Sequence, residues 1–246
     1  MSEVPSERVA IVTGGTRGIG EAVTRRLVAT GTRVVAVYRG DAAAASALAT
    51  ELDVDTRRVD IGDAAGCASL VSGVLDRYGR IDHLVNNAGL LLEASSTDTD
   101  AVGWEQVVNV NLSAAVHLCR AVIPPMREAR FGRIVNVSSV TAVMGSPTEA
   151  AYGAAKSGLH GLTRSLARET ARDGITVNCL VPGVFETEMT LSMPERTQRA
   201  VLRMIPVGRR GSPDELARAV AFLLDDDAGY VTGSVLTVDG GLSMGG

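Results

Sequence analysis

Short runs rich in Val, Ile and Thr alternate along the whole chain with alanine-rich amphipathic stretches, and this alternation constrains the fold more than any other feature. The strand candidates are Arg8–Thr13, Arg33–Tyr38, Thr56–Asp60, Ile81–Asn86, Gly132–Ser138, Gly174–Val181 and Ser234–Val238. Between them lie helical stretches at Gly18–Thr30, Ala42–Leu52, Ala64–Tyr78, Trp104–Arg130, Ala151–Ala171 and Pro213–Leu224. Strands separated by helices of this length form βαβ units with right-handed crossovers, and their repetition builds a parallel sheet. Gly31, Gly79 and Gly174 each follow a helical stretch, where a left-handed C-terminal cap is wanted. Hydrophobic residues make up 46% of the chain but aromatics only 3%, so the core is aliphatic, as in strands buried on both faces.

No composition break, repeat or linker interrupts this pattern, so residues 1–246 are expected to form a single domain of class α/β. Such a chain buries about three quarters of its unfolded surface. The expected architecture is a doubly wound parallel sheet of about seven strands with helices on both faces. Residues 184–210 are the longest weakly periodic segment, and beside the carboxyl edge of a sheet they would serve as a substrate lid.

Several function classes are disfavoured. A net charge of −4 argues against a general nucleic-acid binder. No apolar stretch is expected to reach the roughly 20 residues of a membrane span. Residues 1–8 are short and polar, without a signal-peptide pattern. Cys67, Cys119 and Cys179 are odd in number and lack ligand spacing, so they read as free core thiols in a reducing compartment, with a cytoplasmic location expected. His83, His117 and His160 are dispersed and read as structural, so no metal site is expected. Trp104 reads as a packing residue, and Asp225–Asp227 as a solvated helix end.

Two local patterns carry chemistry. Gly14, Gly18 and Gly20 follow the first strand candidate and open a helix. Glycines let the backbone turn sharply and approach a pyrophosphate, whose charge then meets the helix N-terminus. The ribose-reading position at the end of the second strand is Tyr38 followed by Arg39, and Arg17 lies within the glycine loop. Two guanidiniums near one spot favour the 2′-phosphate of NADPH over the bare hydroxyl of NADH.

The second pattern is Tyr-Gly-Ala-Ala-Lys at 152–156, with Ser139 thirteen residues before the tyrosine. Four residues are one helical turn, so Tyr152 and Lys156 share a face. A free phenol has a pKa of about 10, and a nearby ammonium would lower it, giving a proton donor and acceptor for a carbonyl/alcohol pair.

Taken in order, Thr13–Gly20, Asp60, Asn86-Asn87-Ala88-Gly89, Asn111, Ser139, Tyr152, Lys156 and Pro182-Gly183 resemble the short-chain dehydrogenase/reductase superfamily over essentially the whole chain. Within it, the chain is most similar to 3-oxoacyl-[acyl-carrier-protein] reductases, through Pro-Gly-Val-Phe-Glu-Thr-Glu-Met-Thr, Ile-Pro-Val-Gly-Arg-Arg and the ending Tyr-Val-Thr-Gly-Ser-Val-Leu-Thr-Val-Asp-Gly-Gly. The resemblance implies a Rossmann-type fold and a homotetramer. It implies that Tyr152 is the general acid, that Ser139 polarises the substrate oxygen, that Lys156 binds the nicotinamide ribose and acidifies the phenol, and that Asn111 holds a water. It places NADPH/NADP against Gly14, Thr16, Arg17, Gly18, Ile19, Gly20 and Arg39, with Asp60 and Ile61 at the adenine. Asn87, Ala88 and Gly89 would line the adenine ribose, and Pro182, Gly183, Phe185 and Thr187 the nicotinamide.

The implied reaction is NADPH-dependent reduction of a 3-oxoacyl thioester of fatty-acid or polyketide type. The alternatives are an NADP-dependent alcohol or ketone dehydrogenase acting on another small secondary metabolite, sugar or xenobiotic, and a cofactor-binding regulatory or scaffold protein. Three positions depart from the reductase pattern: the apolar Leu90-Leu91-Leu92-Glu93 run, Glu149 where an amide is usual, and Asp173 at a docking position beside Arg172. Arg130 matches a docking arginine for an acyl carrier protein, while Asp173 speaks against that docking.

Overall fold

In this computed structural model, which describes residues 7–192 and 194–244, seven strands form one wholly parallel sheet. They are β1 (Val9–Thr13), β2 (Arg33–Tyr38), β3 (Asp55–Arg58), β4 (His83–Asn86), β5 (Gly132–Val137), β6 (Ile175–Pro182) and β7 (Val235–Val238), in the order β3-β2-β1-β4-β5-β6-β7. The expected doubly wound sheet is therefore present. The chain leaves β3 at one edge and re-enters at β4 beside β1, so the direction of winding reverses there. A crevice opens at the carboxyl ends of β1 and β4, where sheets of this kind bind ligands.

The residues of β1 show why each strand is apolar throughout. Val9 and Ile11 belong to one core cluster, with α3 (Ala64–Tyr78) and α5 (Ala114–Ala129). Ala10 and Val12 belong to the other, with α1 (Gly18–Ala29) and α10 (Pro213–Leu224). Side chains alternate across a strand, so a sheet covered on both faces demands an apolar residue at every position. The remaining helices are α2 (Ala42–Leu52), α4 (Ala101–Val108), α6 (Thr141–Met144), α7 (Ala150–Thr170), α8 (Glu188–Leu191) and α9 (Glu195–Met204).

Several expectations need correction. The helix expected at Trp104–Arg130 begins earlier, at Ala101, because the Asp100 carboxylate accepts from the Gly103 N–H at 2.7 Å. It is also interrupted by a π-turn at Asn109–Ser113 and ends on Arg130 in the left-handed conformation. This run, Ala101–Ala129, is long and apolar enough to cross a membrane, contrary to the composition reading. Its apolar face is occupied, however: Leu118, Cys119, Val122 and Met126 are buried against the sheet and α3. Trp104 does not pack as expected, but remains 44% exposed on α4. The weakly periodic segment 184–210 holds two helices, α8 and α9, with no buried residue recorded in α9.

Asp225–Asp227 is likewise more than a solvated end. The carbonyls of Asp225 and Asp226 accept from Arg133, and the Asp226 carboxylate meets Arg8 at 2.7 Å. The reading of residues 1–8 falls mostly on 1–6, outside the described residues. Cys67, Cys119 and Cys179 are buried free thiols, as expected. Among the described residues, no His/Cys/Asp/Glu group is placed to hold a metal ion.

Candidate active site

The glycine turn is stitched to the end of β4. Thr13 Oγ1 accepts from the N–H groups of Asn87 and Ala88, at 2.9 and 3.0 Å, and Asn87 Nδ2 donates to the Thr13 carbonyl at 2.9 Å. Asn87 is thus committed as a tie between the two loops, which narrows the ribose-lining role the resemblance gave it. Gly20 packs so tightly against this turn that a Cβ there would lie 2.0 Å from the Gly14 carbonyl oxygen. Gly18 has φ of +55°, a conformation that disfavours side chains, and its missing Cβ would face Thr187 Cγ2 at 3.7 Å. Thr187 and the glycine turn therefore confront each other across the crevice.

Helix α1 starts without a side-chain cap, since Arg17 offers its N-terminal N–H groups none. Uncapped donors at a helix N-terminus beside glycine backbone suit a pyrophosphate. Thr16 is buried, Ile19 is packed against the core, and Arg17 and Arg39 are exposed. Sequence reasoning missed Arg58, whose Nε donates to the Arg39 carbonyl at 3.0 Å and braces that turn. Its only signal was a third arginine at the carboxyl end of the neighbouring strand.

Asp60 folds back on its own loop, with Oδ1 accepting from the Gly62 N–H at 3.0 Å, while the Ile61 side chain belongs to the core. Gly183 is held beside β7 by its N–H to the Val238 carbonyl, and the Pro182 carbonyl accepts from the Val140 N–H. Phe185 is 4% exposed, and its ring lies under Gly211, where a Cβ would approach Phe185 Cε1 to 2.5 Å. The ring supports the start of the segment 184–210 from the core side.

On α7, Tyr152 and Lys156 share the face turned toward β5. Lys156 is 2% exposed and donates to the Val137 carbonyl at 2.8 Å, with Nζ 5.7 Å from the centre of the Tyr152 ring. Burial brings the lysine down to a pKa of about 8. Burial also raises the phenol; a hydrogen bond with Ser139 pulls it down, and the Glu149 carboxylate pushes it up again. In the chain by itself the tyrosine is therefore less acidic than a free phenol, against expectation. The physical reason is first the burial of the phenol itself, while the neighbouring cation is also desolvated and directed at a carbonyl.

Asn111 sits in the π-turn. There the Ala114 N–H reaches back to Asn109, and Asn111 Nδ2 donates to the Val107 carbonyl at 2.9 Å. The same amide brackets the backbone of Leu90, donating to its carbonyl at 2.7 Å and accepting from its N–H at 3.2 Å. A Cβ on Gly89 would lie 2.8 Å from Asn111 Oδ1 and 3.5 Å from Lys156 Nζ, so the three converge. Ser138 was read only as a strand end, yet its hydroxyl donates to the Lys156 carbonyl at 2.9 Å and meets His160 Nε2 at 2.9 Å. It locks α7 to β5 at the level of the lysine. Ser139, Tyr152, Lys156 and Asn111 are thus gathered at one end of the sheet.

The family model described as Enoyl-(Acyl carrier protein) reductase matches residues 14–243. The chain belongs to the short-chain dehydrogenase/reductase family. It is 42% identical to the acetoacetyl-CoA reductase of Shinella zoogloeoides over 235 residues, covering 95% of this chain and 98% of that protein. It is 42% identical over 243 residues to the acetoacetyl-CoA reductase of Allochromatium vinosum, covering 96% and 99%. To the 3-oxoacyl-[acyl-carrier-protein] reductase FabG of Escherichia coli it is 38% identical over 239 residues, covering 96% and 98%. Reductases of this family work with a nicotinamide cofactor. The glycine turn, the uncapped helix and the confronting Thr187 fit the dinucleotide part of such a group.

Arg130, the docking arginine of the resemblance, is committed elsewhere. It meets Asp173 Oδ1 at 3.2 Å and donates to the Arg172 carbonyl at 2.6 Å, while Arg127 meets the same carboxylate at 2.7 Å. An acidic partner would compete with Asp173 for this exposed guanidinium.

Proposed function

We propose that the protein reduces a 3-oxoacyl thioester to the 3-hydroxyacyl product with NADPH. The observation that carries this reading is the convergence of Ser139, Tyr152 and Lys156 at the edge where the glycine turn faces the crevice. The cofactor would supply a hydride, two electrons with a proton, to the carbonyl carbon. Tyr152 gives its proton to the carbonyl oxygen, Ser139 donates a hydrogen bond to that oxygen, and the phenol is reloaded from solvent past Lys156 and Asn111. Arg17 and Arg39 would take the 2′-phosphate of NADPH, with Arg58 bracing Arg39. The segment 184–210 would close over the acyl chain, and the exposed Leu92, Val143, Met144 and Leu191 give apolar surface for it.

The internal pairing of Arg130 with Asp173 favours a coenzyme A thioester, as in the names of two relatives, over a carrier protein docked at that arginine. The exposed Val102, Trp104 and Val116 on α4 and α5 favour burial between copies, consistent with a cytoplasmic homotetramer, and solution mass would test this. NADPH absorbance should be followed with acetoacetyl-CoA, a 3-oxoacyl carrier protein, a 2-enoyl thioester and simple ketones. The reading expects turnover of 3-oxo thioesters, a preference for NADPH that Arg39→Ala reduces, and loss of turnover by at least about a hundredfold in Tyr152→Phe. Turnover of the enoyl thioester or of simple ketones alone would overturn it.

A further inference from the structure

The carboxyl ends of β1, β2 and β3 lie side by side, and each leads into a segment carrying an arginine. The Gly15 N–H donates to the Val37 carbonyl at 3.1 Å, which seats the glycine turn, with Arg17 in it, against the end of β2. On the other edge of β2, the Val59 N–H donates to the Tyr38 carbonyl at 2.9 Å, and Arg58 Nε donates to the Arg39 carbonyl at 3.0 Å. Arg58 pairs with Tyr38 in the register of the two strands, so both side chains stand on one face of the sheet. That is the face of Ala36 and α1, where the glycine turn leads. Arg57 pairs with Val37 and stands on the opposite face, toward α3.

We infer that Arg58 is a third guanidinium of the 2′-phosphate subsite, so that selectivity for NADPH is set from three strand ends and not two. This deepens the cofactor reading proposed above and rests on it. The Nε of Arg58 is committed to the Arg39 carbonyl, but its Nη donors meet no partner among the described residues. Arg17 and Arg39 likewise have no carboxylate partner there. The carboxylates nearby in sequence are engaged elsewhere. Asp41 caps α2 through the Ala44 N–H at 2.9 Å, Asp60 accepts from the Gly62 N–H at 3.0 Å, and Asp55 meets Arg57 at 2.9 Å.

A brace for Arg39 needs only one N–H, and a glutamine would supply it. The rest of the guanidinium is a planar fork whose geometry suits two oxygens of a phosphate. Holding Nε in place removes part of the side-chain freedom that binding would otherwise cost. The hydroxyl that NADH offers at the same point is neutral and gains far less from a cation.

The test is Arg58→Gln, whose side-chain amide nitrogen is bonded to Cδ as Nε is, so the donor to Arg39 is kept while the charge and fork are removed. Wild type, Arg58→Gln and Arg57→Gln are titrated by calorimetry with adenosine 2′,5′-bisphosphate and with 5′-AMP, at pH 7.5 and pH 5.5. At pH 7.5 Arg58→Gln should bind the bisphosphate at least about fivefold more weakly and 5′-AMP within about twofold of wild type. A phosphate monoester takes up its second proton near a pKa of about 6, so the wild-type preference for the bisphosphate should shrink at pH 5.5, and shrink less in Arg58→Gln. Arg57→Gln should keep the wild-type preference. A preference unchanged in Arg58→Gln, whether both affinities hold or fall together, would overturn the inference. So would an equal loss in Arg57→Gln, which would mark a diffuse field and not a contact. A wild type that binds the two nucleotides alike would instead overturn the NADPH reading, and this inference with it.

Discussion

His83 offers a quantitative test of how this fold treats a buried base. It lies on β4, is 5% exposed, and neither ring nitrogen has a partner among the described residues. Its neighbours are the Phe131 ring, 6.2 Å away, and a cluster in which the Arg8 and Arg133 guanidiniums stand 3.7 and 4.4 Å from the centre of that ring. Burial, opposed by Asp82 and reinforced by Arg8, lowers its pKa from 6.5 to about 4. The folded protein therefore resists a proton that the unfolded chain accepts. Stability is complete above about pH 6.5 and falls as the pH drops toward 4, because over that window the unfolded state binds more protons. The full loss is about 3 kcal/mol, at about 1.4 kcal/mol per pH unit, and about 2 kcal/mol of it is felt by pH 5.

His83→Leu removes both the titration and two orphaned nitrogens. Urea unfolding at pH 7.5 and pH 5, at one protein concentration so that association is held constant, measures the difference. The wild type should lose about 2 kcal/mol more than the variant between the two conditions. His160, whose pKa burial and Arg164 also lower, remains in both proteins and cancels. Equal losses in the two proteins would refute the argument and mean that His83 finds a partner or water in solution.

Two further outcomes follow from single contacts. Gly20→Ala places a methyl 2.0 Å from the Gly14 carbonyl oxygen, so NADPH affinity, read by fluorescence titration, should fall at least about tenfold; unchanged binding would remove the glycine turn from the cofactor site. Burial raises the Asp82 carboxyl, but hydrogen bonds from Arg80, the Val9 N–H and Arg8 outweigh this and leave it below the usual carboxylate range. Asp82→Ala should therefore cost about 2–3 kcal/mol in denaturant unfolding, discounted because both arginines are partly exposed, and a loss under about 0.5 kcal/mol would contradict the pairing.

The order of strands and helices was legible because it rests on local rules. Apolar runs such as Val9–Thr13 need burial on both faces, and the Asp63 and Ser212 caps at Ala64 and Pro213 start helices by bonding their own neighbours. The Tyr152–Lys156 spacing was equally readable, since one turn of helix fixes it. Less legible were the π-turn at Asn111 and the amphipathic helix Glu195–Met204, in which Val201 and Leu202 are only half-buried within the chain.

What the amino-acid order determined alone was the parallel α/β architecture and the one-turn pairing of Tyr152 with Lys156, because periodicity and spacing act over a few residues. Tertiary structure decided their electrostatic state. Whether Lys156 acidifies the phenol, whether Arg130 is free, and where Phe185 points depend on Val137, Glu149, Asp173 and Gly211, residues brought close only by packing. Desolvation and Coulombic fields depend on distance through space, which neighbours in the chain do not specify.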